Sequence, residues 1–196
     1  MKTGLKVLLI VVGVIVLVGM SLAGAFNNLV ALDEKVSQAW SQVENVYQRR
    51  ADLIPNLVET VKGYAAHEKS TLQGITDARA RIGGTISSDM LTDPQKFQAF
   101  QQAQSGLSSA LSRLLVVSEN YPALKADQNF IALQAQLEGT ENRVSVERGR
   151  FNEAAQMFNT RIRSFPSNII GGMFGFKAKE YFKSDVGAAQ APKVQF

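Results

Sequence analysis

Apolar residues follow two different patterns along this chain. From Val7 to Phe26 the run VLLIVVGVIVLVGMSLAGAF is almost unbroken hydrocarbon, and no charge occurs between Val7 and Leu32. At about 1.5 Å of rise per residue, such a helix is about 30 Å long, the thickness of a bilayer core. From Leu29 onward the apolar residues recur instead at alternating steps of three and four: Leu29, Leu32, Val36, Ala39, Val43, Val46, Leu53, Leu57, Val61, Tyr64, Leu72 and Ile75. This spacing predicts a long amphipathic helix that packs along other helices. Pro55 interrupts it and predicts a kink or short break, because proline lacks an amide donor and crowds the preceding turn.

Gly83-Gly84 followed by Thr85 to Thr92 reads as a connecting loop. Asp93-Pro94 then opens a second helix, with Asp as cap and Pro in the first turn. Phe97, Phe100, Gln104, Leu107, Leu111 and Leu114 carry its stripe, and Asn120-Tyr121-Pro122 closes it. A third long helix is predicted from about Asp127 to Ser164-Phe165-Pro166 on Phe130, Leu133, Leu137, Thr140, Val144, Phe151, Ala155, Phe158, Ile162 and Phe165. No stretch alternates with period two for long enough to make a strand. The predicted fold is all-α: a single transmembrane helix followed by an elongated antiparallel bundle of three long rods, or four if Pro55 splits the first. The expected boundaries are a short basic N-terminus (1–6), an anchor (7–26), the bundle (27–166), an aromatic C-terminal segment (167–183) and a disordered tail (184–196).

Charge and composition narrow the setting. The net charge of +4 is modest and spread without blocks, so no nucleic-acid footprint is indicated. The chain has no cysteine, which excludes disulfides, zinc–thiolate sites and thiol nucleophiles. Ala23-Gly24-Ala25 would suit a signal-peptidase site, but the apolar run is longer than a secretory leader needs, so a retained anchor is the preferred reading. Lys2 and Lys6 before the span, against Lys35 close behind it, weakly favour the N-terminus inside.

Two segments resemble a known family. LVALDEKVSQAWSQVENVYQRRADLIPNLVETVKGYAAHE (29–68) looks like the signature of the LemA family of bacterial membrane-associated helical proteins. NYPALKADQNFIALQAQLEGTENRVSVERGRFNEAAQMFNTRIRSFP and FGFKAKEYF match the rest of that pattern in order. The resemblance implies one membrane helix followed by a bundle of about four helices, no established enzymatic activity, and kinship with proteins of bacterial magnetosome membranes. It also implies a short external N-terminus and a cytoplasmic bundle, opposite to the charge bias, and the side of the membrane stays open.

Few residues suggest chemistry. His67 is the single histidine, so a histidine zinc site cannot be assembled. With no supporting site around it a Ser-His-Asp triad is not indicated, and a helix-surface or interhelical hydrogen-bonding role is preferred to a lone acid/base one. Asp33, Glu34, Glu44, Asp52 and Glu59 with Arg49, Arg50 and Lys62 read as a solvated or subunit-contacting face, since the Glu-x-x-His pairs of di-iron bundles are missing. Gly83-Gly84 follows a helix and is a turn, not a phosphate cradle. No catalytic residue, cofactor or metal is expected.

The candidate interaction and assembly residues are Trp40, Tyr47, Arg49, Arg50, Pro55, Asn56, Phe174, Phe176, Tyr181 and Phe182. Trp40, Tyr47 and Tyr64 read as interface anchors or as core residues with a polar tip at the edge. Asn56, Asn142, Asn152 and Asn159 lie on or beside the seams, and Asn142 and Asn152 are the preferred register-setting amides. The aromatic cluster Phe174 to Phe182 requires burial on its own bundle, on a neighbouring subunit, or on the bilayer with Lys177, Lys179 and Lys183 toward headgroups. Together these point to a non-enzymatic, membrane-anchored scaffold of a bacterial inner membrane, with lipid and further copies of itself as partners. The alternative is an adaptor that positions another membrane protein, such as a protease or transporter, without self-assembling.

Overall fold

The computed structural model describes residues 2–85, 87 and 89–183. Among them are six α-helices and no strand: α1 (Lys2–Tyr64), α2 (Lys69–Gly83), α3 (Pro94–Ser118), α4 (Pro122–Lys125), α5 (Gln128–Arg163) and α6 (Ser167–Phe174). The expected disordered tail, 184–196, lies outside the described residues. Contacts divide the chain into two units. The first holds the chain through Glu44 together with Gly149–Lys179, and the second holds Asn45–Arg148 and the chain from Glu180.

In the second unit, four helical stretches alternate in direction, the up-down-up-down arrangement of a four-helix bundle. Arg79 of α2 reaches Ala51 of α1, and Arg50 of α1 reaches Ser108 of α3. Arg50 also meets Glu141 of α5, while Tyr64 meets Asp127, so α5 runs antiparallel to α1. Ile54, Leu57, Val61, Leu72, Ile75, Leu107, Leu114, Leu124 and Phe130 fill the core. In the first unit, the α1 and α5 stretches pack Trp40 edge-on to Phe151, with ring centroids 5.6 Å apart, and bury Leu29, Val36, Val43, Ala155 and Phe158. Gly171 of α6 lies so close to α5 that an added Cβ would stand 2.7 Å from Ile162 Cγ1. Only glycine fits there without displacing Ile162.

Pro55 does not break α1, which is one helix through Tyr64. Proline at 55 leaves the Ala51 carbonyl without its usual helical donor, and Arg79 Nε supplies one at 3.0 Å. A side chain from the neighbouring helix thus makes the proline tolerable. Arg79→Ala should cost about 0.5–1.5 kcal/mol. In a Pro55→Ala background, where the backbone bond is restored, the same change should cost distinctly less. Urea titrations of the four variants would measure this coupling, and strict additivity would show that the two residues act independently.

The chain turns instead at Ala65–Glu68, ahead of the predicted boundary, so Leu72 and Ile75 belong to α2. That turn is tied down by its ends. Tyr64 Oη donates to Asp127 Oδ2 at 2.8 Å, and Tyr121 Oη donates to Glu68 Oε1 at 3.0 Å. The Asp93-Pro94 start is as expected: Asp93 Oδ1 accepts from the amides of Gln95 (2.9 Å) and Lys96 (3.2 Å). α3 stops at Ser118, and Pro122 opens the short α4. The loop after Gly84 includes a 3₁₀ turn, Met90–Thr92, with Met90 fully buried. α6 is a helix that the glycine-rich sequence did not announce. Gly175, at φ +74°, ends it, and the Phe176 amide returns to the Gly171 carbonyl at 3.0 Å.

Candidate functional site

Burial corrects the stripe read from the sequence. Along α1 the covered positions are Ala25 and Leu29, then Val36, Trp40, Val43, Tyr47, Arg50, Ile54, Leu57 and Val61, which from Val36 onward form a strict three-and-four repeat. Leu32, Ala39 and Val46 are only half-buried, and Tyr64 is exposed. The apolar list skipped the large amphipathic residues that occupy the seam. Trp40 and Tyr47 are therefore packed inside their own units, and Arg50 sits at a core position rather than on a charged face.

Arg50 centres a polar layer in the second unit. Its side chain is 3% exposed, one guanidinium nitrogen donates to Ser108 Oγ at 2.6 Å, and the other pairs with Glu141 at 3.2 Å. Burial lowers the guanidinium pKa while Glu141 opposes that, and arginine stays charged. One turn earlier, Tyr47 Oη accepts from Arg148 Nε at 2.7 Å, and its ring stands edge-on to Phe100 at 5.4 Å. Burial pushes the Tyr47 phenol up, and the Arg148 guanidinium pulls it partly back. On α3, Gln104 is 1% exposed with neither amide atom hydrogen-bonded. Above the layer a groove of about 290 Å³ opens, lined by Arg50, Leu57, Leu111, Leu115, Leu137 and Glu141 among others.

The layer contains two guanidinium cations, the Glu141 carboxylate, a phenol, an amide and the Ser108 hydroxyl. Ser108 accepts from Arg50 and donates to the Gln104 carbonyl at 3.3 Å, and none of these bonds brings it a general base. Among the described residues, no three His, Cys, Asp or Glu side chains gather where they could hold a metal ion. His67 is exposed in the α1–α2 turn. The remaining helix candidates, Arg49, Pro55 and Asn56, are also exposed.

The C-terminal segment is the second place where candidates converge. In the first unit, Asn159 clasps Lys179 through two backbone hydrogen bonds, Nδ2 to the Lys179 carbonyl and the Lys179 amide to Oδ1, each 2.8 Å. Lys179 Nζ then pairs with Asp33 at 2.7 Å and lies 5.2 Å from the centre of the Phe158 ring. Asn159 is thus the buried seam amide. Asn142 and Asn56 are exposed and Asn152 is half-buried, because positions flanking a seam turn outward. Phe176 is half-buried 6.1 Å from Phe158, whereas Phe174 is 60% exposed and touches Phe26 at 4.7 Å.

In the second unit, the Glu180 amide bonds the Leu91 carbonyl at 2.8 Å, and the Lys183 amide bonds Gln101 Oε1 at 3.2 Å. Tyr181 is half-buried. Phe182 is buried 5.0 Å from Phe97, with the Arg148 guanidinium 4.9 Å from its ring centre. The aromatic cluster therefore divides: Phe176 and Phe182 dock on their own units, and Phe174 stays outside.

At the other end of the chain, α1 contains a stretch long and apolar enough to cross a membrane, and its apolar side chains from Leu5 to Met20 are exposed.

Known proteins resemble this chain in sequence. The LemA family model matches residues 39–196. Magnetosome protein MamQ 2 of Paramagnetospirillum magneticum is 30% identical over 175 residues, covering 81% of this chain. MamQ 1 of the same organism gives the same values. The chain spans 64% of the length of these MamQ relatives. Protein LemA of Metamycoplasma hominis is 24% identical over 173 residues, covering 85% of this chain and 75% of that protein. The matched region takes in both polar features described above, the Arg50 layer and the Asn159–Lys179 clasp, and on that match the chain belongs to the LemA family.

Proposed function

We propose that this protein is a non-enzymatic scaffold, anchored in a bacterial inner membrane by residues 7–26 as a single pass, that associates with further copies of itself there. The observation that carries this reading is the continuity of α1. One 63-residue helix begins as exposed hydrocarbon and becomes, without a linker, part of both folded units. An anchor joined in this way restrains the orientation of the helix it leads into, as a lateral assembly requires. The two sites support the same reading: Arg50 with Ser108 and Glu141, Tyr47 with Arg148, and Asn159 with Lys179 are paired with one another, as expected of register-setting contacts rather than of a reaction centre. Isolated apolar side chains on the second unit (Val116, Ile131, Val146) offer surface for contacts between copies.

Crosslinking and mass photometry of the full chain in several mild detergents test this. Large, regular oligomers are expected, and a clean monomer throughout would overturn self-association. The adaptor reading draws on the Arg50 groove, whose leucine walls and charged floor suit a partner segment. A pull-down from membranes that returned one dominant partner at fixed stoichiometry would favour it. Protease protection in intact cells and spheroplasts would assign the side of the membrane.

A further inference from the structure

Within the first unit, α6 and its flanks present an apolar face with no protein cover. Ile169 (48% exposed) and Met173 (74%) lie one helical turn apart on α6, and Phe165 (77%), in the turn that precedes it, and Phe174 (60%), its last residue, are exposed as well. The opposite face, Ser167, Ile170 and Gly171, is the buried one. The helix is thus held against α5 at Gly171, with Ser167 and Ile170 also buried, while Ile169 and Met173 turn outward.

The position of this face identifies what covers it. The Phe174 ring lies 4.7 Å from Phe26, the last residue of the uncharged apolar run of α1, and Phe176 lies 6.0 Å from the same ring. From there the segment follows α1 away from the apolar run, until Lys179 pairs with Asp33, the first charge after it. The Phe26-to-Asp33 interval is about 10 Å of helix, comparable to the headgroup region of one leaflet. The exposed face of α6 is therefore continuous with the exposed hydrocarbon of the anchor. Charge agrees: from Arg161 to Lys179 the charged residues are Arg161, Arg163, Lys177 and Lys179, all basic. Lys179 is committed to Asp33, while Arg163 and Lys177 are exposed. An apolar face rimmed by cations suits an anionic lipid surface.

We infer that α6 is a second membrane contact: Phe165, Ile169, Met173 and Phe174 insert into the acyl–headgroup boundary beside the emerging anchor, with Arg163 and Lys177 at the phosphates. This rests on the reading that residues 7–26 span the bilayer. It makes the membrane attachment two-point, restraining the rotation of α1 as well as its depth.

The absence of cysteine allows single-site labelling. Met173→Cys, Ile169→Cys, Val14→Cys and Val116→Cys, each labelled with an environment-sensitive nitrobenzoxadiazole dye, would be reconstituted as full chains in phosphatidylcholine–phosphatidylglycerol vesicles. Quenching by lipids with spin labels at shallow and deep positions reads out depth. The expected result is blue-shifted emission at 169 and 173 with quenching strongest from the shallow label, deep quenching at 14, and neither effect at 116. Labels at 169 and 173 that behave like 116, while 14 is quenched, would overturn the α6 contact and leave the anchor standing. Blue-shifted but unquenched labels would also overturn it, since protein rather than lipid would cover the face. An unquenched label at 14 would remove the anchor and this contact with it.

Discussion

Phe151→Ala should lower the stability of the first unit by about 3–5 kcal/mol, the range for deleting a buried phenylalanine where the surroundings collapse only in part. Phe151 is fully buried and stands edge-on to Trp40. The ring contact adds a further contribution, of about 0.5–1.5 kcal/mol, to the burial. Trp40 is the only tryptophan in the chain, so its emission reports on this contact directly. In a urea titration of the detergent-solubilised chain, the variant should show red-shifted native emission and an earlier midpoint. Phe151→Leu should recover most of the loss. An unchanged midpoint and spectrum for Phe151→Ala would mean that the Trp40–Phe151 contact does not hold these helices together.

The second large effect separates charge from packing at Arg50. Arg50→Glu places a carboxylate at a position 3% exposed, facing Glu141, and should destabilise the second unit by about 3–5 kcal/mol. Arg50→Met keeps the length and fills the seam between Val43 and Leu57. It should change stability by less than about 1 kcal/mol, or raise it, because buried ion pairs are often replaceable by apolar residues of similar volume. Glu141, 54% exposed, stays hydrated without its partner. Far-UV circular dichroism against urea measures both variants. If Arg50→Met were as damaging as Arg50→Glu, the guanidinium would be needed for folding itself. If Arg50→Met were stable yet failed to form the oligomers proposed for the parent chain, while the parent formed them, the charge would be retained for register or partner choice.

The sequence was most informative where local rules act alone. Asp93-Pro94 announced the start of α3 because a carboxylate cap and a proline in the first turn depend only on residues within one turn of each other. The end of α5 near Ser164 was equally legible from the proline that follows. Pro55 misled for the complementary reason. Its local penalty was read correctly, but the donor that offsets it comes from Arg79 on another helix. The same limit hid the site. Arg50 looked like one of a pair with Arg49 on a charged face, although its place in the three-and-four repeat between Val43 and Leu57 was a usable signal. Gln104 and Thr140 stood in their stripes from the start, and both are buried. Asn159 was one of four amides beside the seams, and only the clasp with Lys179 distinguishes it.

By itself the sequence determined the all-helical class, the uncharged apolar run and the helical period of the apolar positions, because hydrophobic period and charge-free length are one-dimensional properties of a chain. It also carried the family resemblance in its motifs. The tertiary structure alone decided where α1 turns into α2, which polar residues fill core positions, and how the aromatic segment divides between half-buried Phe176, buried Phe182 and exposed Phe174. Those outcomes depend on what stands opposite each residue: an arginine donor for an orphaned carbonyl, an asparagine for an extended backbone, a phenylalanine at the end of the apolar run. Partners of this kind lie tens to more than a hundred residues apart along the chain, and only folding brings them to within bonding distance.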